Sequence, residues 1–381
     1  MISFDGFRSD YLDWYNTPNM DEFMKKGVRS EGLIPIFVSK TFPNHYSIAT
    51  GLYAENHGLI GNNFYDPILK DEYSLSDRSK VEDPRFYEGE PIWVTAEKQG
   101  VQTASYFWVG SEAPINNTYP TRWKRYEHEF PFNSRIDSVL SWLSMPREKR
   151  PRLCLLYFHE PDHTGHETGP RSNETSIMVN KLDSLFGTLM EKLEKLPIFD
   201  NLNIIIVSDH GMTEISSERT INLSNYIDLS KIKQEGSGPY SLLYGMEKIE
   251  IKSIVNQLNK SPNINAYAKE DIPERFHFKK HHRIKDILVL ADEGWYINNQ
   301  SISSSSEIGK QIIKGGTHGY DNQLKSMHAL FIAKGPSFKK GIVVPPFENI
   351  NIYPMLCHIL NITPNKNIDG NLKKIIHIFN I

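Results

Sequence analysis

The sequence predicts an α/β fold around a mostly parallel sheet, and two observations carry that prediction. Runs such as RLCLLYFHE (152–160) and LNIIIVSDHGM (202–212) are nearly continuously apolar, as in strands covered on both faces. Segments with helical spacing alternate with them, as in SRIDSVLSWLSM (134–145) and SIMVNKLDSLFGTLMEKLEKL (176–196).

Taken in order, residues 2–5 read as the end of a buried strand. Central strands usually run ~5–6 residues, so a natural leader is expected to have been removed or replaced. TPNMDEFMKKGV (17–28) fits a helix with Thr17 as cap, Pro18 in the first turn and Gly27 at the stop. RSEGLIPIF reads as a second strand, and a helix begins just after Thr41 in TFPNHYSIATGLY. PIWVTAEKQG (91–100) is a helix followed by the strand VQTASYFW. Residues from about 213 to 310 break the alternation, being rich in Lys, Asn and Ser with short strand-like pieces, INAYAK and DILVLAD. This stretch is expected to be an insertion or cap on one catalytic domain spanning 1–381, with SISSSSEIGK (301–310) as a mobile loop. Strand character returns at HALFIAKG (328–335) and helical spacing at NIYPMLCHILNI (351–362).

Composition narrows the function classes. The chain has 381 residues and a formal net charge of −3, so no global basic field favours a nucleic-acid polymer. No run of ~20 apolar residues is present to span a membrane. Cys154 and Cys357 both sit in apolar patterns and read as two buried free thiols.

Five polar clusters carry the chemistry: Asp5 in SFDGFR, Thr41 in KTFPNH, Asp162 and His166 in EPDHTGHETGP, Asp209 and His210 in SDHGM, and His318 in GTHGYDN. Asp5, Asp162 with His166, and Asp209 with His210 directly follow apolar runs. The C-terminal ends of parallel strands form one ligand-binding edge, so these residues could converge there. Carboxylate and imidazole together suit zinc or a similar ion over calcium or magnesium. Each cluster alone also reads as something ordinary. Asp5 could be a cap or turn residue, Thr41 an N-cap, and Asp209-His210-Gly211 a turn. Asp162 and His166 stand four apart in a segment punctuated by Gly and Pro that reads as a loop, with His159 and His163 as competing imidazoles. The joint occurrence, in this order, favours a site.

In these motifs the chain resembles the nucleotide pyrophosphatase/phosphodiesterase family of the alkaline phosphatase superfamily. The match continues through GLYAENHGLIGNNFYDP, YFWVGSE and YPMLCHILNITPN, is weakest across the insertion, and otherwise covers essentially the whole chain. The resemblance implies an alkaline-phosphatase-like three-layer α/β/α fold with a central, mostly parallel sheet and an inserted cap. It implies two Zn2+ ions, one held by Asp162, His166 and His318 and the other by Asp5, Asp209, His210 and the Thr41 oxygen, roughly 4 Å apart. Thr41 would be the nucleophile, giving a covalent phospho-threonine that water then hydrolyses. Asn62 would hydrogen-bond a phosphate oxygen in the transition state, with Asn63 as the competing assignment. Phe42 and Tyr126 would stack on a nucleobase, while Trp108 and Glu112 fall in the loop that contacts base or sugar; each also reads as ordinary packing. Glu112 stands where nucleotide-selective members often carry Asp.

The expected function is therefore two-zinc hydrolysis of nucleotide phosphodiester or pyrophosphate bonds, releasing a nucleoside 5′-monophosphate. The alternative is a choline- or glycerol-type phosphodiester cut by the same chemistry. A phosphomonoesterase has less support, because the motifs offer no Arg to clamp the extra phosphate charge (Arg8 belongs to the diesterase pattern). The expected partner is a small-molecule nucleotide or phosphodiester. The family resemblance implies a bare, bacterial-type catalytic domain in a periplasmic or extracellular setting.

Overall fold

The computed structural model describes residues 1–298 and 313–380, so the serine-rich stretch at 301–310 lies outside the described residues. Among the described residues, eight strands form the central sheet: β1 (Ile2–Phe4), β2 (Val28–Ser30), β3 (Thr103–Tyr106), β4 (Arg122–Lys124), β5 (Leu153–Phe158), β6 (Ile204–Val207), β7 (Phe331–Lys334) and β8 (Ile342–Val344). Their spatial order is β8-β2-β7-β6-β1-β5-β3-β4. Only β7 runs antiparallel to its neighbours β2 and β6; the other pairings are parallel. The sheet is thus mostly parallel, as the sequence predicts.

The period of two along each strand sorts side chains into two cores. Leu153 and Leu155, Ile205 and Val207, and Phe331 and Ala333 face one side. Leu156 and Phe158, Ile204 and Ile206, and Leu330 and Ile332 face the other. Helices α2 (Thr41–Thr50), α3 (Ile92–Lys98) and α7 (Ile352–Leu360) cover the first side. Helices α1 (Pro18–Lys25), α4 (Phe132–Leu143) and α6 (Asn173–Glu194) cover the second. Parallel strands need both faces covered, and this α/β/α sandwich supplies that.

Two local readings change. Thr17 makes no side-chain cap on α1. The free amide groups of Asn19 and Met20 are instead taken by the Asp183 carboxylate of α6, at 3.1 and 2.8 Å, so a tertiary contact does the capping. RSEGLIPIF forms two short strands, β2 and Leu33–Ile34, rather than one.

The insertion folds around its own small core. Its four-stranded antiparallel sheet has the order Lys233–Glu235, Tyr240–Tyr244, Ile287–Ala291, Ile264–Ala268. Leu243, Leu258, Ile287 and Val289 are buried within it. It is bolted to the hairpin of Asn63–Asp66 and Asp71–Ser74 by a buried ion pair. Arg283 Nε donates to Asp66 Oδ2 at 2.6 Å, and Arg283 Nη1 donates to the carbonyls of Gly58 and Phe86, both at 2.8 Å. Breaking a buried pair strands a charge in the interior, at about 3–5 kcal/mol. Arg283→Met is therefore expected to lower unfolding free energy by about that amount. Chemical denaturation followed by circular dichroism measures it; an unchanged midpoint would remove this pair as the anchor of the insertion.

Candidate functional site

The three central strands end in the three acidic motifs. β6, β1 and β5 are adjacent, and Asp209, Asp5 and Asp162 follow them at the same edge of the sheet. Asp162 and His166 stand on a short helix, α5 (Asp162–Thr168), and not in a loop as their Gly-rich surroundings predict. Four residues apart on a helix, they share one face.

Five of the seven acid, imidazole and hydroxyl side chains make a tight set of close approaches around His210 and Asp162. His210 Nε2 lies 3.4 Å from Asp5 Oδ1, 3.0 Å from Asp209 Oδ2 and 3.2 Å from Thr41 Oγ1. Asp162 Oδ1 lies 3.5 Å from His166 Nε2 and 3.6 Å from His318 Nε2. The rings of His210 and His318 stack at 3.4 Å and tie the two groups together. The carboxyl and imidazole ligand atoms of Asp162, His166 and His318 could share one ion, and Asp5, Asp162 and His210 form an overlapping set.

The protonation of the histidines is set from behind. Nδ1 of His166, His210 and His318 lies 2.8 Å from the carbonyls of Gly316, Gly211 and Ser39 respectively. A carbonyl can only accept, so each Nδ1 carries a proton and each Nε2 faces the centre, where the neutral ring that a metal selects presents its lone pair. His166 Nε2 and His318 Nε2 then stand 3.1 Å apart, acceptor against acceptor. Asp5 Oδ1, Asp162 Oδ1 and Asp209 Oδ2 are buried without hydrogen-bond partners. Burial, then repulsion from Asp209 and Asp162, pushes the Asp5 carboxyl well above its ordinary range. At Asp209 burial acts the same way, but His210 and His45 outweigh it and hold that carboxyl low. Bare carboxylate oxygens and inward imidazole lone pairs are the donor set of a divalent metal of the zinc type, and the residues present fit one.

His45 is a residue that the sequence reading missed. It lies near Asp5 and Asp209, with Nδ1 3.3 Å from Asp209 Oδ2 and 3.0 Å from the Thr41 carbonyl. Its Nε2 is 2.8 Å from Ser3 Oγ. With both nitrogens engaged, it braces Asp209 from behind and offers no lone pair inward. The signal was available: Thr41 and His45 are four apart on α2 and share a face. The same reasoning removes the cluster of Glu88, His281 and His282. His281 Nδ1 accepts from the Arg283 amide at 3.2 Å, so its Nε2 is protonated and donates to Glu88 at 2.9 Å. Tyr157, hidden in an apolar strand, donates its hydroxyl to Asp5 Oδ2 at 2.5 Å.

A cavity of about 370 Å³ opens beside Thr41. It is lined by Asp5, Thr41, Asp162, His166 and His318 together with Phe42, Asn62, Leu75 and Tyr126. Asn62 Oδ1 accepts from the Phe42 amide at 3.0 Å, which leaves its NH2 group for the cavity. Asn63 is exposed and bonded to Ser74 instead. Trp108 lines the cavity but is buried, with Nε1 donating to the His45 carbonyl at 3.1 Å. Glu112 is occupied: Oε1 accepts from the Tyr126 amide at 2.9 Å, and its carboxylate pairs with Arg78. It holds the Tyr126 backbone in place. Arg78 is a cavity-lining cation that the sequence motifs did not reveal. His128, His159 and His163 form a second imidazole group at the wall, apart from the acid-imidazole cluster, with His128 and His159 stacked at 3.9 Å. Both cysteines are free thiols; Cys357 is buried, but Cys154 is only half-buried.

Known proteins resemble this chain in sequence and in fold. The family model for type I phosphodiesterase/nucleotide pyrophosphatase matches residues 1–321. The human bis(5′-adenosyl)-triphosphatase is 41% identical over 371 residues, covering 96% of this chain and 79% of that protein. Rat ectonucleotide pyrophosphatase/phosphodiesterase family member 3 is 37% identical over 96% of this chain, which spans 42% of that relative. The solved structure of murine ectonucleotide pyrophosphatase/phosphodiesterase 5 superposes with a TM-score of 0.91 at 34% identity, covering 100% of this chain and 99% of that one. An inactive threonine-to-alanine form of the murine protein, in complex with AMP, also matches at a TM-score of 0.91.

Gly6 gives a test of the cluster's tolerance. Its φ is +65°, and a Cβ there would stand 2.8 Å from Asp162 Cβ and 2.9 Å from Asp162 Cα. Backbone cannot swing away, so Gly6→Ala is expected to displace Asp162 and weaken zinc binding about 10- to 100-fold. Zinc titration against a competing chelator measures this, and wild-type affinity in the variant would show that Asp162 is not held where the metal binds.

Proposed function

Because the chain belongs to the type I phosphodiesterase/nucleotide pyrophosphatase family, we propose that it hydrolyses phosphodiester and pyrophosphate bonds of nucleotides with a pair of zinc ions and Thr41 as nucleophile. The observation that carries this reading is the convergence of Asp5, Asp162, Asp209, His166, His210 and His318 around Thr41, with bare carboxylate oxygens among them, beside a cavity that Thr41 lines. Asp162, His166 and His318 would hold one ion; Asp5, Asp209, His210 and the Thr41 oxygen would hold the other. When bound, the ions supply Lewis-acid charge that lowers the Thr41 hydroxyl pKa and offsets the negative charge gathering on the phosphate.

The chain's own residues do the rest. Thr41 stands at the first position of α2, where its own amide and the helix dipole favour an anionic phosphate, the Phe42 amide being taken by Asn62 and Pro43 having none. Its hydroxyl attacks phosphorus, the leaving oxygen departs, and the phosphoryl group rests on Thr41 until water releases it. The Asn62 NH2 group, oriented by the Phe42 amide, donates to a phosphate oxygen as charge builds. Phe42 and Tyr126, which line the same cavity, would offer flat faces to a base. Glu112 acts through Tyr126, which it positions, and Trp108 acts as a wall.

The AMP complex of the murine relative supports a nucleotide over a choline-type ester. An extracellular or periplasmic setting follows from the ecto-enzyme relatives; no helix among the described residues is long and apolar enough to cross a membrane.

The test is hydrolysis of p-nitrophenyl thymidine 5′-monophosphate and p-nitrophenyl phosphocholine, with and without chelator. The nucleotide ester is expected to be cleaved, chelator to stop the reaction, and zinc to restore it. Thr41→Ala is expected to lose at least ~1,000-fold in kcat while keeping its circular-dichroism spectrum. Cleavage of the phosphocholine ester alone would overturn the substrate, and an active Thr41→Ala would overturn the nucleophile.

A further inference from the structure

Tyr157 stands in β5, a strand whose other members are Leu, Cys, Leu, Leu and Phe. Burial would strand its hydroxyl unless a partner took it, and the partner is Asp5. We propose that Tyr157 is a positioning residue. Its hydroxyl commits Asp5 to a metal through Oδ1 alone, and so sets the metal affinity of the group formed by Asp5, Asp209 and His210 without setting that of Asp162, His166 and His318. The inference rests on the reading above that gives these two groups to metal ions.

Strand register brings the two residues together. Tyr157 pairs with Ser3 in the parallel ladder of β5 and β1, and Asp5 follows just beyond, its amide donating to the Phe158 carbonyl at 2.9 Å. The Tyr157 hydroxyl donates to Asp5 Oδ2 at 2.5 Å, the short end of the range for a hydroxyl on a carboxylate. The rest of the residue is fixed. Its ring meets the His45 ring at a steep angle, 5.2 Å between centres, and lies 6.2 Å from that of Tyr126. Arg135 Nη1 donates to its backbone carbonyl at 3.0 Å. The hydroxyl is thus carried to Asp5 by a ring with little room to turn away.

That contact makes the two oxygens of Asp5 unlike. Oδ2 is taken, while Oδ1 is buried with no hydrogen-bond partner and lies 3.4 Å from His210 Nε2. Asp209 is divided in the same way. Its Oδ1 accepts from the Gly6 amide at 3.1 Å and the Ser208 hydroxyl at 3.2 Å, and its bare Oδ2 lies 3.0 Å from His210 Nε2. Each acid keeps one oxygen on a neutral donor and turns the other toward His210. Asp162 has no such division: among the described residues no hydroxyl or amide donates to its side chain, and its Oδ1 faces Nε2 of His166 and His318 at 3.5 and 3.6 Å. The two groups also differ in access. The side chains of Asp5, Asp209 and His210 are 3%, 0% and 0% exposed, whereas those of Asp162 and His166 are 17% and 39% exposed. Within the enclosed group no water replaces a lost donor, so that group depends on its bracing contacts more than the open one does. Without the hydroxyl, Asp5 Oδ2 becomes a second bare oxygen in the enclosure and the carboxyl is free to turn. Loss of a hydrogen-bonding partner behind a metal ligand costs about 10- to 100-fold in metal affinity.

Tyr157→Phe removes the hydroxyl and keeps the ring; Tyr157→Met, which fills the space without a donor, serves if the first variant does not fold. Zinc-loaded protein is equilibrated with a graded competing chelator, and the zinc retained is measured. His166→Ala identifies which of the two release steps belongs to Asp162, His166 and His318. In Tyr157→Phe the other step is expected to show an affinity about 10- to 100-fold weaker, while the step marked by His166→Ala keeps its wild-type value. The kcat for p-nitrophenyl thymidine 5′-monophosphate, low at limiting zinc, is expected to return as zinc is raised, with KM as in the wild type. Wild-type affinity at both steps, or an equal loss at both, overturns the positioning role. A raised KM that excess zinc does not correct also overturns it, because Tyr157 would then act on the substrate as a wall of the cavity it lines. Wild-type protein that retains no zinc overturns the metal reading itself, which separates the two failures.

Discussion

Mutual repulsion among three carboxylates at one sheet edge is the constraint on which this structure turns. Asp5, Asp162 and Asp209 end three adjacent strands, and burial removes the water that would screen them. The folded chain alone answers this only in part, through the Tyr157 hydroxyl on Asp5 and the imidazoles of His45 and His210 around Asp209. Such an arrangement persists only where the backbone beneath it is over-determined. The parallel register of β6, β1 and β5 does that, since each strand is hydrogen-bonded on both sides and packed on both faces.

The carbonyls behind the histidines extend the same logic. Gly211, Gly316 and Ser39 belong to three separate stretches of chain, yet each fixes one Nδ1 proton. Ring orientation and tautomer are thus decided by backbone, whose position is far less adjustable than that of a side chain. The imidazoles of the cluster are held in orientation for this reason.

Much of this was legible in the sequence because strand ends announce themselves. Asp5, Asp162 and Asp209 each follow an apolar run, and the edge at which parallel strands terminate is where such residues meet. That Thr41 and Asn62 line one cavity was legible through the family resemblance, though not by spacing alone. What stayed hidden has physical causes. Tyr157 sits within an apolar strand and reads as core. His45, by contrast, lies one helical turn past Thr41 and was within reach of the sequence, since the helix beginning there was read from it. Arg283 meets Asp66 across 217 residues of sequence, which no local pattern encodes. The helix at Asp162–Thr168 was misread as loop because its Gly and Pro punctuation outweighs seven residues of weak propensity, and the tertiary position decided the outcome. Glu112 looked like a substrate contact, but its pairing with Arg78 was not foreseeable from either residue's surroundings.

The insertion has its own buried cluster and its own antiparallel sheet, fastened to the hairpin by Arg283 and Lys285. Its other face packs into the main core, with Leu242, Leu288 and Leu290 buried there and Phe276 and Phe278 against Phe37, so apolar contact holds it as well as the ion pairs. None of the acids and imidazoles at the strand ends comes from 213–310, so a graft of the corresponding region from a relative that keeps the partners of Asp66, Glu235 and Phe37 would change the insertion and leave that cluster in place.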